Sequence, residues 1–166
     1  AGLTGIAGSF SFYPGKNLGA YGDAGCIISN NEELATKCRM YASHGALVKH
    51  QHEIEGINSR MDGLQASILL AKLPYIKEWT AKRIEVASWY NEALKGIEEI
   101  IVPSLRPNSK HSYHLYVLLA ANRDELLQYL KEQGVEAAIH YPRILPMLPA
   151  YSYLGYTAAD FPIAYD

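Results

Sequence analysis

The residues best suited to chemistry lie in the first twenty-five positions, where Gly2, Gly5, Gly8, Gly15, Gly19, Gly22 and Gly25 surround a single lysine, Lys16. Pro14-Gly15 breaks the chain just before it, so Lys16 projects from a turn whose glycines let backbone approach a ligand closely. Such a lysine can form a Schiff base, provided that its surroundings depress the amine pKa. Composition alone favours an ordinary solvated lysine in a Gly-rich turn, and the placement leaves both readings open. Other chemistries fail on spacing. A phosphate-binding P-loop needs four residues between its first Gly and the Gly-Lys pair, then Ser or Thr. Here six residues separate Gly8 from Gly15, and Asn17 follows Lys16. Gly19, Gly22 and Gly25 run G-x-x-G-x-x-G, which is not the dinucleotide fingerprint. His44, His50 and His52 cluster, but Cys26 and Cys38 stand twelve apart with no Cys-x-x-Cys or His-Glu-x-x-His, so no metal site is expected. Without a Gly-x-Ser-x-Gly elbow, a hydrolase serine is unsupported too.

The elements that must position Lys16 follow from periodicity. Ser9-Phe10-Ser11-Phe12 alternates as a short strand, and Cys26-Ile27-Ile28 reads as another. Asn30 with Glu33 fits a capping box, opening a helix with Leu34, Cys38 and Tyr41 on one stripe and Ser43-His44-Gly45 at its end. The polar segment 49–58 reads as an ordered excursion or loop. A long helical region starts near Asp62, with Leu64, Ile68 and Ala71 on one stripe and Leu69 and Leu73 beside it. Pro74 must kink or interrupt it, and the period resumes from Ile76 to Leu94. After Gly96 come a linker-like Pro103 and Pro107-Asn108-Ser109, a strand over 113–119, a helix capped by Asn122 and stopped at Gly134, and a strand over 135–141. Pro142, Pro146 and Pro149 mark an irregular tail. The order is that of an α/β fold with a second subdomain from about residue 96.

Composition bounds the rest. The chain has 166 residues, 49% hydrophobic and 19% charged, and a net charge of -2. That balance is globular, with no basic stripe for nucleic acid and no apolar run long enough to span a membrane. A chain of this length is expected to bury about 70% of its unfolded surface without a disulfide or metal. Two cysteines fit a reducing cytoplasm. Thirteen Tyr against three Phe and two Trp suit half-buried surfaces such as clefts and subunit contacts. The chain begins at Ala1 and stops at Asp166 without a closing signal, which reads as a processed or partial chain.

The run Ser11-Phe12-Tyr13-Pro14-Gly15-Lys16-Asn17-Leu18-Gly19-Ala20-Tyr21-Gly22-Asp23-Ala24-Gly25 closely resembles the cofactor-lysine segment of the nucleotide-sugar aminotransferases. These form the DegT/DnrJ/StrS family of pyridoxal-phosphate enzymes, with the aspartate-aminotransferase fold, fold type I. The resemblance continues through His44-Gly45, Gly56-Ile57-Asn58-Ser59-Arg60-Met61-Asp62-Gly63-Leu64-Gln65-Ala66, Leu73-Pro74, Tyr113-His114-Leu115-Tyr116 and His140-Tyr141-Pro142. It thus covers essentially the whole chain in order.

The resemblance implies that Lys16 forms the Schiff base with pyridoxal 5'-phosphate and later moves the substrate proton. It implies that Ser11, five residues earlier, binds the cofactor phosphate, and that Asn58 reaches the phosphate of the neighbouring subunit's cofactor. Tyr21, Arg60 and His140 lie in motifs bordering the substrate cleft in relatives. For Arg60 and His140 a surface ion pair and a hydrogen-bonded core histidine stay open as the plainer readings. Lys-Asn-Leu-Gly and Gly-Asp-x-Gly resemble members acting on 3-keto sugars, although Ala24 stands where many have Gly. Members acting on 4-keto sugars more often show Lys-x-Ile-Thr and Gly-Glu-Gly-Gly. The dehydratase branch carries histidine in place of the lysine.

The implied activity is transfer of an amino group from glutamate to C3 of a dTDP-3-keto-6-deoxyhexose, in deoxysugar or polysaccharide biosynthesis. C4 amination, or a non-catalytic regulatory relative that binds cofactor or sugar nucleotide, are the alternatives. A homodimer with a shared site is expected. The family's acidic partner of the pyridine nitrogen and its ring-stacking residue would lie upstream of this chain. On that basis residues 1–60 would end the large cofactor domain, 61–95 would be connecting helices and 96–166 an incomplete small domain.

Overall fold

The computed structural model describes residues 4–165. The chain forms two compact units. The first comprises the described residues up to Tyr90 together with Pro107–Leu115, and the second comprises Asn91–Arg106 and the described residues from Tyr116 onward.

In the first unit, β1 (Gly8–Ser11) and β2 (Gly25–Ile28) pair antiparallel, with Gly8 opposite Ile28 and Ser11 opposite Gly25. The alternation that marked these runs as strands therefore ends in a hairpin, and residues 12–24 form the excursion at its tip. Next, α1 spans Glu32–Ala42. Its cap is Asn31 rather than Asn30: the Asn31 side chain accepts from Leu34 N–H at 2.9 Å. Glu33 does not close a capping box but pairs with Lys37 one turn later at 2.7 Å, and the Lys37 ammonium holds its carboxyl below the usual range. The expected stripe also shifts, because Met40 is the buried residue of α1 while Tyr41 is half exposed.

The chain then loops out and returns. Gly45 (φ +79) ends α1's last turn, accepts from Glu53 N–H and donates to Met40 O. An isolated bridge pairs Ser43 with Asn58. Asp62 precedes α2 (Gly63–Lys72), and α3 runs over Ile76–Ala93. Between them Leu73–Tyr75 is a 3-10 turn, the interruption that Pro74 imposes by lacking an N–H.

The second unit holds β3 (Ile100–Ile101) paired antiparallel with β4 (Leu119–Ala120), followed by α4 (Arg123–Glu132). Gly134 (φ +76) and the bond from Val135 N–H to Leu130 O close α4. Short 3-10 turns and α5 (Pro162–Tyr165) complete it. Two expected strands differ. Of 113–119 only the last residue joins a ladder, because Tyr113 takes a left-handed φ of 43° that no ladder accepts. Segment 135–141 joins no ladder among the described residues, and a run without a strand partner is not a strand.

The expectation of a self-sufficient core is not met. Buried hydrophobics are Ala20, Met40, Ala46, Leu69, Ala87 and Tyr113, whereas Leu64, Leu70 and Trp89 on the helices are more than 60% exposed. No described helix is long and apolar enough to cross a membrane.

Candidate active site

Lys16 sits at the tip of the β1–β2 hairpin, and the excursion carrying it is closely tied. Phe12 N–H donates to Ala24 O and Ala20 N–H to Phe12 O, both at 2.8 Å, so the base of the loop is closed by backbone. Lys16 N–H donates to Tyr13 O at 2.8 Å, which makes Tyr13-Pro14-Gly15-Lys16 a β-turn with Pro at the position that suits its fixed φ. Gly15 is not left-handed here, and a Cβ on it would meet only the Tyr13 ring at 3.8 Å. Gly19 is the glycine that the loop cannot replace, since a Cβ there would lie 2.3 Å from Pro14 O. Ala20, wholly buried, seals the base beneath it.

The Lys16 side chain is half-buried, and its ammonium has no hydrogen bond or ion pair among the described residues. Ser11, at the end of β1, accepts from Tyr13 N–H at 3.3 Å, and its own hydroxyl proton is uncommitted among those residues. An uncommitted amine and an uncommitted hydroxyl thus stand five residues apart at one end of a hairpin. Asn17 donates from Nδ2 to Ser112 O at 3.0 Å, while its Oδ1 is buried without a partner among the described residues.

Two further elements grip this loop. From α2, Gln65 Oε1 accepts Tyr21 N–H at 2.8 Å, and Lys72 Nζ donates to Gly19 O at 2.7 Å while lying 4.4 Å from the centre of the Tyr21 ring. The other grip comes from segment 112–114, which Asn17 touches. Arg83 on α3 donates to the carbonyls of Tyr113 and His114 at 3.1 and 3.2 Å, and Tyr113 N–H donates to His111 Nδ1 at 2.8 Å.

Lys16, Ser11, Tyr21, Asn58 and Arg60 all belong to the first unit, and His140 belongs to the second. Tyr21 is 74% exposed despite its two attachments, to Gln65 and to Lys72. Asn58 is exposed in its bridge to Ser43. Arg60 is exposed and makes no ion pair among the described residues, so the plain surface-pair reading finds no partner. His140 is exposed, with its ring 4.1 Å from that of Tyr141, and is not a core histidine. Residue types and spacing gave no hint of Lys72 or Arg83, and Asn17, although inside a quoted motif, had no hydrogen-bonding role assigned. Gln65 stood inside a quoted motif but had no role assigned.

The model of the DegT/DnrJ/EryC1/StrS aminotransferase family matches residues 1–166, and the chain belongs to that family. Among curated relatives it is 41% identical over 158 residues to the erythromycin biosynthesis sensory transduction protein EryC1 of Saccharopolyspora erythraea, covering 95% of this chain and 43% of that protein. It is 38% identical over 144 residues to the dTDP-3-amino-3,4,6-trideoxy-alpha-D-glucose transaminase of Streptomyces venezuelae, covering 87% of this chain and 38% of the relative. Among solved structures, S. venezuelae DesV in complex with a ketimine intermediate superimposes with a TM-score of 0.92 at 35% identity, over 96% of this chain and 43% of that one. The chain therefore spans less than half the length of the relatives it matches.

Proposed function

We propose that this chain is the C-terminal part of a pyridoxal-phosphate-dependent nucleotide-sugar aminotransferase. In this reading it comprises the end of the large cofactor domain and most of a small one. The proposed reaction is transfer of an amino group from glutamate to C3 of a dTDP-linked 3-keto-6-deoxyhexose, in an active site shared across a homodimer. The observation that carries it is Lys16: an uncommitted primary amine on a fixed turn, in a chain that belongs to an aminotransferase family.

The donor set suits pyridoxal phosphate. The cofactor needs a primary amine for its aldehyde and hydrogen-bond donors for its phosphate, and when bound it supplies an electron sink for the substrate's Cα–H bond. Lys16 Nζ is free of any competing carboxylate among the described residues, so it can bond to the aldehyde and later carry a proton. The Ser11 hydroxyl can donate its uncommitted proton to a phosphate oxygen. The tie from Lys16 N–H to Tyr13 O, with Gly19 folded onto Pro14, keeps the lysine in one place between these tasks. Asn58 is proposed to reach the partner subunit's cofactor phosphate, and Tyr21, Arg60 and His140 to border the sugar nucleotide. Exposed Asn58, Tyr21 and Arg60 side chains are compatible with those tasks.

The C3 assignment rests on Lys16-Asn17-Leu18-Gly19 and on the similarity to a C3 sugar transaminase. A second reading, a regulator that binds without turnover, is favoured by similarity to a relative named as a sensory transduction protein. A half-reaction with glutamate separates the two, because only the enzyme converts bound cofactor to its amine form. Full-length protein given pyridoxal phosphate should show a Schiff-base absorption band that disappears in Lys16→Ala. A wild-type protein without that band would end the proposal.

A further inference from the structure

Lys72 is the last residue of α2, a place where a lysine commonly lies in water beside its own helix's carbonyls. This one does not. Its ammonium is directed at a loop 53 residues away, donating to Gly19 O at 2.7 Å from a part-buried position, and it covers one face of the Tyr21 ring at 4.4 Å. No carboxylate pairs with it among the described residues. Gln65 lies seven residues earlier, two turns along the same face of α2, and takes Tyr21 N–H at 2.8 Å. Leu69, buried, sits between them on that face. One side of α2 thus holds residues 19–21 by a carbonyl, an amide and a ring.

The consequence falls on Tyr21. An aromatic ring that is 74% exposed ordinarily samples several rotamers. Here its backbone is tied to Gln65 and an ammonium lies over its ring, so a rotamer that carries the ring away from Lys72 loses that contact. A charge-assisted hydrogen bond and a cation–π contact are each stronger where water is partly excluded, as at Lys72 Nζ.

We propose that Lys72 is a positioning residue which, through Tyr21, orders the sugar-nucleotide side of the active site. This rests on the proposed reading of the Lys16 loop as the catalytic segment and of Tyr21 as bordering the sugar nucleotide. The amino-donor half of the reaction calls on Lys16 and Ser11, and Lys72 contacts neither of those side chains.

The test uses full-length protein with Lys72→Met, which keeps the stem and removes the charge, and Lys72→Arg, which retains a donor and a cation. Without cofactor or substrate, amide exchange of Ala20 and Tyr21 should accelerate about tenfold in Lys72→Met, remain unchanged in the β1–β2 ladder, and return towards wild type in Lys72→Arg. With both substrates, Lys72→Met should raise KM for the keto-sugar nucleotide about tenfold and leave the glutamate half-reaction within about twofold. In a Tyr21→Ala background the same substitution should add little further. Unchanged exchange, an equal loss in both half-reactions, or additivity with Tyr21→Ala would each overturn the proposal. The exchange experiment stands apart from the functional reading, which fails separately if wild-type protein forms no Schiff-base band.

Discussion

At the scale of single residues, the glycines of this chain do different work. Gly45 combines a φ of +79° with a position where a Cβ would sit 1.6 Å from Ile54 O, so no side chain fits without moving backbone. Gly63 opens α2 with nothing within 4 Å of its missing Cβ and no left-handed φ. Gly45→Ala should therefore cost more than about 4 kcal/mol, or prevent folding, whereas Gly63→Ala should gain about 0.5 kcal/mol by restricting the unfolded chain. Urea unfolding of the two variants against wild type reads both signs. A glycine-rich sequence suggests close approach, but only the structure separates the glycine that admits a neighbour from one that merely lacks a side chain. The turn that carries Lys16 was legible because it is local: Pro14, Gly15 and the alternation before them are all within eight residues. Lys72 and Arg83 were not, since their partners lie 53 and 30 residues away and nothing in a helical lysine or arginine announces a carbonyl elsewhere.

At the scale of elements, two adjacent asparagines make a sharp comparison. Asn31 Oδ1 receives Leu34 N–H, while the capping-box pattern favours Asn30. Asn31→Ala should lose about 1 kcal/mol of stability and Asn30→Ala only a few tenths, measured by the denaturation midpoint. Equal effects would contradict the assigned cap. The hairpin strands, the break at Pro74, the start of α2 and the stop at Gly134 were all readable, because each depends on residues next to one another. Strands over 113–119 and 135–141 were misread for a different reason. A strand is completed by its partner, and the alternation of one segment does not report whether a second segment is alongside. At Tyr113 the chain instead turns left-handed, its own carbonyl and that of His114 receiving Arg83 and the neighbouring Ser112 carbonyl receiving Asn17. The burial of Met40 rather than Tyr41 has a similar origin, since the periodic stripe marks a face but not what covers it.

At the scale of the whole molecule, the buried residues are few and mostly small, while many large apolar side chains on α2, α3 and the 3-10 turns face outward. At roughly 25 cal/mol per Å² of apolar surface, such faces favour being covered. Produced alone, the 166-residue piece should bind a hydrophobic dye and self-associate, and it should show no transamination. Dye fluorescence, light scattering and an amino-transfer assay check this together; measurable turnover by the piece would contradict the proposal that its site is completed elsewhere. The path of the chain carries one more consequence. Pro107–Leu115 belongs with the residues up to Tyr90, although Asn91–Arg106 intervenes in another unit, so the polypeptide passes between the two units three times. A chimaera of two family members joined at a single crossover near residue 96 would give Arg83 and Asn17 of one parent a 112–114 segment from the other. Recombination that respects this fold needs two additional crossovers, so that residues 107–115 travel with the hairpin that bears Lys16.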